Sequence, residues 1–168
     1  MAIRKLTAYD VGKEAIQKLA VIVTYAMMLN IFFLLMEVFT AFYSGIPEHM
    51  EHFQYLFAGL QGRDALVPWM WTSAILALAS LVLLIVPATR NKEGVLVVTC
   101  VIVFLSLWID KGLGLIVGGF VPSPLGAITE YTPTLPEITI TLGIWALGFL
   151  MITVFYKIAL SVREGFAA

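Results

Sequence analysis

The chain has 168 residues, of which 61% are hydrophobic and 12% are charged, and its formal net charge is −1. A soluble domain is about half apolar and about a quarter charged, so this composition indicates an integral membrane protein. With a near-neutral net charge, the chain is not expected to bind nucleic acid. Its single cysteine cannot form an internal disulfide, and cysteines of this chain alone cannot hold an iron–sulfur cluster.

Four stretches are long and apolar enough to cross a bilayer, which takes about 20 residues. They span roughly residues 19–43, 66–88, 95–120 and 137–160. Too little chain remains for a separate soluble domain. The sequence therefore predicts an all-α, polytopic membrane protein in which residues 1–168 form one domain, a single bundle of four transmembrane helices.

Basic residues fall almost entirely on one side of these spans. That side holds Arg4, Lys5, Lys13, Lys18, Arg90, Lys92, Lys157 and Arg163. The opposite side has Arg63, and Lys111 lies within the third span. Because basic residues concentrate in cytoplasmic segments, both termini are predicted to be cytoplasmic.

The first outer loop contains "SGIPEHMEHFQYLFAG", in which Pro47 follows a plausible helix start. Apolar side chains then recur at helical spacing, at Met50, Phe53, Leu56 and Phe57. This pattern predicts a short amphipathic helix on the outer membrane surface.

Two histidines of this helix, His49 and His52, are three residues apart and share a face. A metal site would need further ligands, for which Glu48 and Glu51 are the nearest candidates. Nothing else completes such a set, so a solvated interfacial helix is favoured and no metal is expected.

Polar residues of the first and third spans converge near the outer leaflet. Asp110 lies about 22 Å along its helix from Val95, and Glu37 lies about 27 Å from Leu19, at 1.5 Å per residue. Lys111 adjoins Asp110. Charges at the centre of a membrane helix cost about 2.5–3.5 kcal/mol, so they are often functional.

Adjacent residues of a helix diverge by about 100°, so Asp110 and Lys111 are not expected to satisfy one another. We expect Lys111 to pair with Glu37 instead, while Asn30 lies two turns below Glu37 on nearly the same face. A structural ion pair between helices, snorkelling of Lys111 to the headgroups, and a polar pocket or proton relay all remain open.

Glycines and a capping pattern have simpler interpretations. Gly114 and Gly118 form a G-x-x-x-G step that favours close packing of helices, with close approach to a flat cofactor as the alternative. Glu137 completes a capping box with Thr134 in "TLPE". The preceding loop, "VPSPLGAITEYTPTLP", has four prolines, and we expect it to fold over the bundle mouth or pack on another subunit.

Three segments together resemble the NrfD/PsrC family, the quinone-interacting membrane subunits of respiratory oxidoreductases. They are "MEVFTAFYSG", "HFQYLFAG" and "IDKGLGLIVGGFVPSPLGAITEYTPTLPEITITLGIWALG". The glycine-rich span and the proline-rich loop look closest to DsrP-type and Hme-type members. The resemblance covers the C-terminal four-helix bundle of such subunits, so a companion NrfD-like half is expected, on a separate polypeptide or elsewhere in a longer chain. The basic opening of the sequence favours the first arrangement.

The resemblance implies a subunit that is not catalytic alone but belongs to a complex of the prokaryotic cytoplasmic membrane. An iron–sulfur protein on the outer face, and possible cytochrome subunits, would exchange electrons with menaquinone, which a partner chain could bind. No haem or iron–sulfur cluster is expected in this chain.

Under this resemblance, Glu37, Asp110 and Glu130 are the candidate proton path, Lys111 supplies a counter-charge, and Tyr131 could hydrogen-bond a quinone carbonyl; Asn30 is a further candidate. Two other functions remain open. The chain could be a structural scaffold that completes a split subunit, or a small ion or solute carrier, although paired broken helices are lacking.

Overall fold

The computed structural model describes residues 12–120, 128 and 133–167. The described chain is helical, apart from turns and an isolated backbone bridge between Leu60 and Arg63. Its helices are α1 (Lys13–Ser44), α2 (Pro47–Phe57), α3 (Val67–Ile85), α4 (Pro87–Arg90), α5 (Glu93–Ile109) and α6 (Leu135–Ala167). Beyond α5 the backbone continues as a π-helical segment, Asp110–Val117, and one 3₁₀ turn, Gly118–Phe120.

Four helical stretches are long and apolar enough to cross a membrane, which confirms the predicted number of spans. They are Lys13–Ser44, Val67–Ile85, Glu93–Ile116 and Leu135–Val162. The first is longer than predicted. At 32 residues, α1 is about 48 Å long, so part of it must extend beyond a hydrocarbon core of about 30 Å.

The chain forms two compact units, residues 1–130 and residues 131–168. The first unit contains α1 to α5 with the π-helical segment, and the second contains α6. The arrangement of all four spans in one bundle remains a prediction.

Within the first unit, α3 and α5 form an antiparallel hairpin whose contact is lined by small and polar residues. The buried residues of α3 are Met70, Ser73, Ala77, Ser80 and Leu84, and those of α5 are Leu96, Thr99, Ser106 and Ile109. Their spacings of three, four or seven residues keep each set on one helix face. Small side chains at these positions let the two backbones approach closely, as is typical of membrane helix pairs.

The α3–α5 hairpin is also joined by two reciprocal hydrogen bonds. The Ser73 hydroxyl donates to the Ser106 carbonyl at 2.9 Å, and the Ser106 hydroxyl donates to the Ser73 carbonyl at 3.0 Å. Both serines are buried. Each hydroxyl thus finds an acceptor in a region where water cannot supply one.

Helix α1 packs against this hairpin through its N-terminal half. Ala20 and Met27 join a buried cluster with Ala77, Leu84 and Leu96. Most other apolar side chains of α1 are exposed within this unit. A continuous apolar surface of that kind is stable in lipid and unfavourable in water.

Helix α2 packs on the same unit at the end where α1 stops and α3 begins. Ile46 precedes the helix, and Pro47 occupies the first helical position, where a backbone N–H is not needed. Phe53 and Leu56 are buried, as the sequence pattern predicts, but Tyr55 is buried as well. The Trp71 indole N–H donates to the Phe57 carbonyl at 3.0 Å, which ties the end of α2 to α3.

Candidate functional site: a polar cleft at the C-terminal end of the third span

The third span changes its winding at Asp110, its first charged residue after Glu93. Helix α5 ends at Ile109, and Asp110 opens an eight-residue π-helical segment that contains Gly112 and Gly114. Glycine favours such departures because it imposes no side-chain restraint on the backbone and stabilises an ordinary helix poorly. Short π-helical segments occur frequently at functional sites.

A cleft lies between this segment, α1 and α2. Its lining residues are Leu34, Glu37, His52, Phe53, Leu56, Phe57, Asp110, Lys111, Gly114 and Leu115. Three residues predicted from the sequence to share a polar site, Glu37, Asp110 and Lys111, thus line one space. The volume open to the centre of a water molecule is about 20 Å³, and a water molecule needs roughly 10–15 Å³.

Lys111 forms an ion pair with its neighbour Asp110, although the sequence led us to expect that the two would not satisfy one another well. The Lys111 Nζ lies 2.9 Å from the Asp110 Oδ2. The expectation assumed α-helical winding. A π turn takes more residues per turn, so adjacent side chains diverge by less than 100°, and the long lysine side chain can fold back on its neighbour. The predicted Glu37–Lys111 ion pair is not formed among the described residues.

Asp110 is nevertheless incompletely satisfied. Its side chain is 13% exposed, whereas that of Lys111 is 51% exposed. The Asp110 Oδ2 is fully buried and has no hydrogen bond of acceptable geometry, because the ammonium group lies within ion-pair distance but out of alignment. A buried carboxylate oxygen without an aligned donor is costly. A water molecule in the adjoining cleft would meet that need.

His52 is the functional candidate that the sequence analysis missed. Its ring lines the cleft, and its Nδ1 lies 2.9 Å from the Gly118 carbonyl oxygen. Since a carbonyl only accepts, Nδ1 carries the hydrogen in this bond. The signal in the sequence was the spacing of His52, one turn before Leu56, which places both residues on the face that packs inward.

Gly114 and Gly118 allow the elements around the cleft to approach closely, which confirms the packing interpretation of the G-x-x-x-G step. A Cβ on Gly114 would lie 2.9 Å from the Met70 Cε. A Cβ on Gly118 would lie 2.9 Å from the Leu56 Cδ2 and 3.1 Å from the His52 Cε1.

Other predicted site residues are not brought into the cleft. Asn30 is partly buried on α1 but does not line it. Glu130 and Tyr131 lie outside the described residues, as does most of the proline-rich loop. Within the described ranges, no group of three or more histidine, cysteine, aspartate or glutamate side chains could hold a metal ion.

The arrangement fits protons and water better than an organic cofactor. Sites for small organic ligands are typically about 300–1,000 Å³ in volume, far larger than this cleft of about 20 Å³. The cleft residues therefore do not fit a menaquinone ring. Their two carboxylates, ammonium and imidazole can exchange protons through a water molecule. No family model, curated protein or solved structure matches the chain.

Proposed function

We propose that this chain is an integral membrane subunit of a respiratory electron-transfer complex, in which its cleft conducts protons. The complex would exchange electrons between an iron–sulfur or cytochrome partner and menaquinone. The observation that carries the proposal is the meeting of Glu37, Asp110 and Lys111 in one cleft with room for water. The electron-transfer part rests on the resemblance of the sequence to the NrfD/PsrC family.

Charge burial supports a role beyond packing. Asp110 keeps a buried oxygen without an aligned donor, although an amide or hydroxyl would be less costly at that depth. A quinone takes up or releases protons together with its electrons, so a complex that uses one inside a bilayer needs protonatable groups leading to water. The cleft offers two acids from separate elements for this task.

Menaquinone itself is assigned to another chain in this proposal. The companion NrfD-like half is the natural candidate, because the cleft of this chain is too small for the ring. This chain then supplies a proton route and a docking surface for the outer iron–sulfur protein.

The proposal includes an orientation in the prokaryotic cytoplasmic membrane, with both termini cytoplasmic, four spans in one bundle and α2 on the outer surface. The basic segments support it, because the start of α1 and the α3–α5 connection lie at the same end: the Gln17 Nε2 donates to the Arg90 carbonyl at 3.4 Å. Lys13 and Asn91 line one pocket there. The acids of the cleft lie toward the opposite ends of α1 and of the third span.

Asp110→Asn in the purified, intact complex tests the proposal. Asparagine keeps the shape of the side chain but cannot carry a proton, so menaquinol-linked turnover should fall by about 10²-fold while the subunits co-purify in unchanged ratio. Glu48→Gln is the matched control, since Glu48 is an exposed acid of α2 outside the cleft. Unchanged turnover in Asp110→Asn would remove the cleft from the mechanism.

A structural scaffold is the second candidate function, and the Asp110–Lys111 pair favours it, because the two charges partly satisfy one another. In that case Asp110→Asn and Lys111→Gln should each reduce the yield of assembled complex. The double variant should recover part of the loss, since it leaves no unpaired charge. Turnover per assembled complex should then equal that of the wild type.

A further inference from the structure

We infer that His52 is the residue through which the cleft exchanges protons with the outer aqueous phase. This inference rests on the proposed function, since it assigns a role within the same proton route. His52 belongs to α2 rather than to a span, yet it lines the cleft together with Glu37, Asp110 and Lys111. Among the α2 residues that line the cleft, His52 is therefore the one that can carry a proton. We propose that α2 faces the outer water.

Its hydrogen bond to Gly118 decides which nitrogen is available. Because Nδ1–H donates to the Gly118 carbonyl at 2.9 Å, the neutral ring must carry its lone pair on Nε2. Gly118 is buried and lies close to the imidazole, since a Cβ on this residue would be only 3.1 Å from the ring's Cε1. The ring is thus fixed in orientation as well as in tautomer.

The same bond survives a change of charge. When Nε2 takes up a proton, both ring nitrogens become donors and Nδ1–H continues to donate to Gly118. The imidazole can therefore gain and lose a proton at Nε2 without breaking the contact that fixes α2 on the 3₁₀ turn after the π-helical segment. If the bond to Gly118 were made through Nε2 instead, that nitrogen could not lose its proton without breaking the bond.

The charges around His52 suit proton transfer. Helix α1 contributes Glu37 and the π-helical segment contributes Asp110 and Lys111, so with both acids ionised these three groups carry one negative charge in excess. The other titratable groups of α2 itself are Glu48, His49, Glu51 and Tyr55. A proton on the Asp110 or Glu37 carboxyl would pass to a cleft water and on to Nε2, and Nε2 would release it to outer water. The water and His52 return to their starting states, and the carboxylate left behind accepts the next proton released by oxidation of the quinol.

His52→Asn separates proton transfer from packing. The asparagine Nδ2–H₂ group replaces the Nδ1–H donor to Gly118, but the side chain cannot accept a proton at neutral pH. We expect normal assembly of the complex and a loss of menaquinol turnover of about 10²-fold, partly restored by added imidazole. His49→Asn is the matched control, since His49 is exposed on the same helix and does not line the cleft. Wild-type turnover in assembled His52→Asn complex would overturn the inference.

Nitrogen-15 NMR of the histidine-labelled full-length chain gives a readout that does not need turnover. We expect Nδ1 of His52 to be protonated throughout the titration, and the Nε2 resonance to change in Asp110→Asn and Glu37→Gln but not in Glu48→Gln. A bare Nδ1, or an Nε2 resonance insensitive to both cleft acids, would overturn the inference whatever the activity. A wild-type complex without menaquinol turnover would instead refute the proposed function, so the two failures can be told apart.

Discussion

The reciprocal bonds between Ser73 and Ser106 provide a quantitative test of how the α3–α5 hairpin is held together. Substituting Ser73 by alanine removes the 2.9 Å bond to the Ser106 carbonyl and leaves the 3.0 Å bond in the other direction in place. The acceptor carbonyl lies within a continuous helix and retains its backbone partner. No buried acceptor is orphaned, so the loss should equal the value of one hydroxyl bond.

Hydrogen bonds between membrane helices are worth about 0.6 kcal/mol on average and at most about 1.7 kcal/mol. We therefore expect Ser73→Ala and Ser106→Ala each to lower the free energy of unfolding by about 0.6 kcal/mol. The double variant should lose about 1.2 kcal/mol, because the two bonds use different hydroxyls and different carbonyls.

Ser80→Ala is the matched control for this experiment. Ser80 is fully buried on the same helix, but its hydroxyl donates within α3 to the Ala77 carbonyl at 2.9 Å. Alanine raises helix propensity at both sites by a similar amount. The difference between Ser73→Ala and Ser80→Ala therefore isolates the bond between helices.

The measurement is a denaturing-detergent titration of the full-length chain in mixed micelles, followed by circular dichroism. If Ser73→Ala and Ser80→Ala have the same free energy of unfolding, the interhelical bonds contribute nothing and the account of the hairpin is wrong. A double variant no weaker than either single variant would show that one bond forms only with the other.

Two further substitutions test local contacts. Gly118→Ala should weaken the docking of α2 by about 1–3 kcal/mol, because its Cβ would meet Leu56 at 2.9 Å and His52 at 3.1 Å. Faster hydrogen exchange of the α2 amides would report this loss. Gly119→Ala is the control and should leave exchange unchanged, because a Cβ there would have nothing within 4 Å. Thr134→Ala should destabilise the first turn of α6 by about 0.5 kcal/mol, because it removes the hydroxyl's bond to the Glu137 carboxylate at 2.8 Å and keeps the Thr134 N–H bond to that carboxylate at 2.6 Å. Hydrogen exchange at that turn measures it, and an equal effect of Thr139→Ala, whose hydroxyl donates within the helix, would refute the capping account.

The number and approximate limits of the spans could be predicted because they depend on one quantity, the length of apolar sequence. A bilayer of fixed thickness requires that length whatever the neighbours are. The contact of Thr134 with Glu137 was predictable for a related reason, since it is local in sequence, and the structure confirms the half of the capping box in which Glu137 accepts from the Thr134 N–H. The burial of Phe53 and Leu56 likewise followed from spacing on one helix.

Features that depend on departures from ideal winding could not be predicted. The Asp110–Lys111 pair was missed because the prediction used the α-helical angle of about 100°, whereas the segment from Asp110 is π-helical. The hydrogen bond of His52 was missed because the ring's partner is a backbone carbonyl 66 positions away. Every residue has a carbonyl, so such a partner leaves no pattern in the sequence.

The end of the π-helical segment and the His52 hydrogen bond adjoin at Gly118. The π-helical segment ends at Val117, and the carbonyl of the next residue, Gly118, accepts the His52 bond. The absence of a Cβ at Gly118 also admits Leu56. One glycine therefore fixes both the distance of α2 from the third span and the orientation of the His52 imidazole.

The wall of the cleft that α2 forms then depends on the docking of α2, while the positions of Glu37 and Asp110 depend on the spans. Gly118→Ala should disturb the wall without altering a charge, and Asp110→Asn should alter a charge without disturbing the wall. Comparing turnover in these two variants distinguishes a proton route that needs the assembled cleft from one that needs the carboxylate alone.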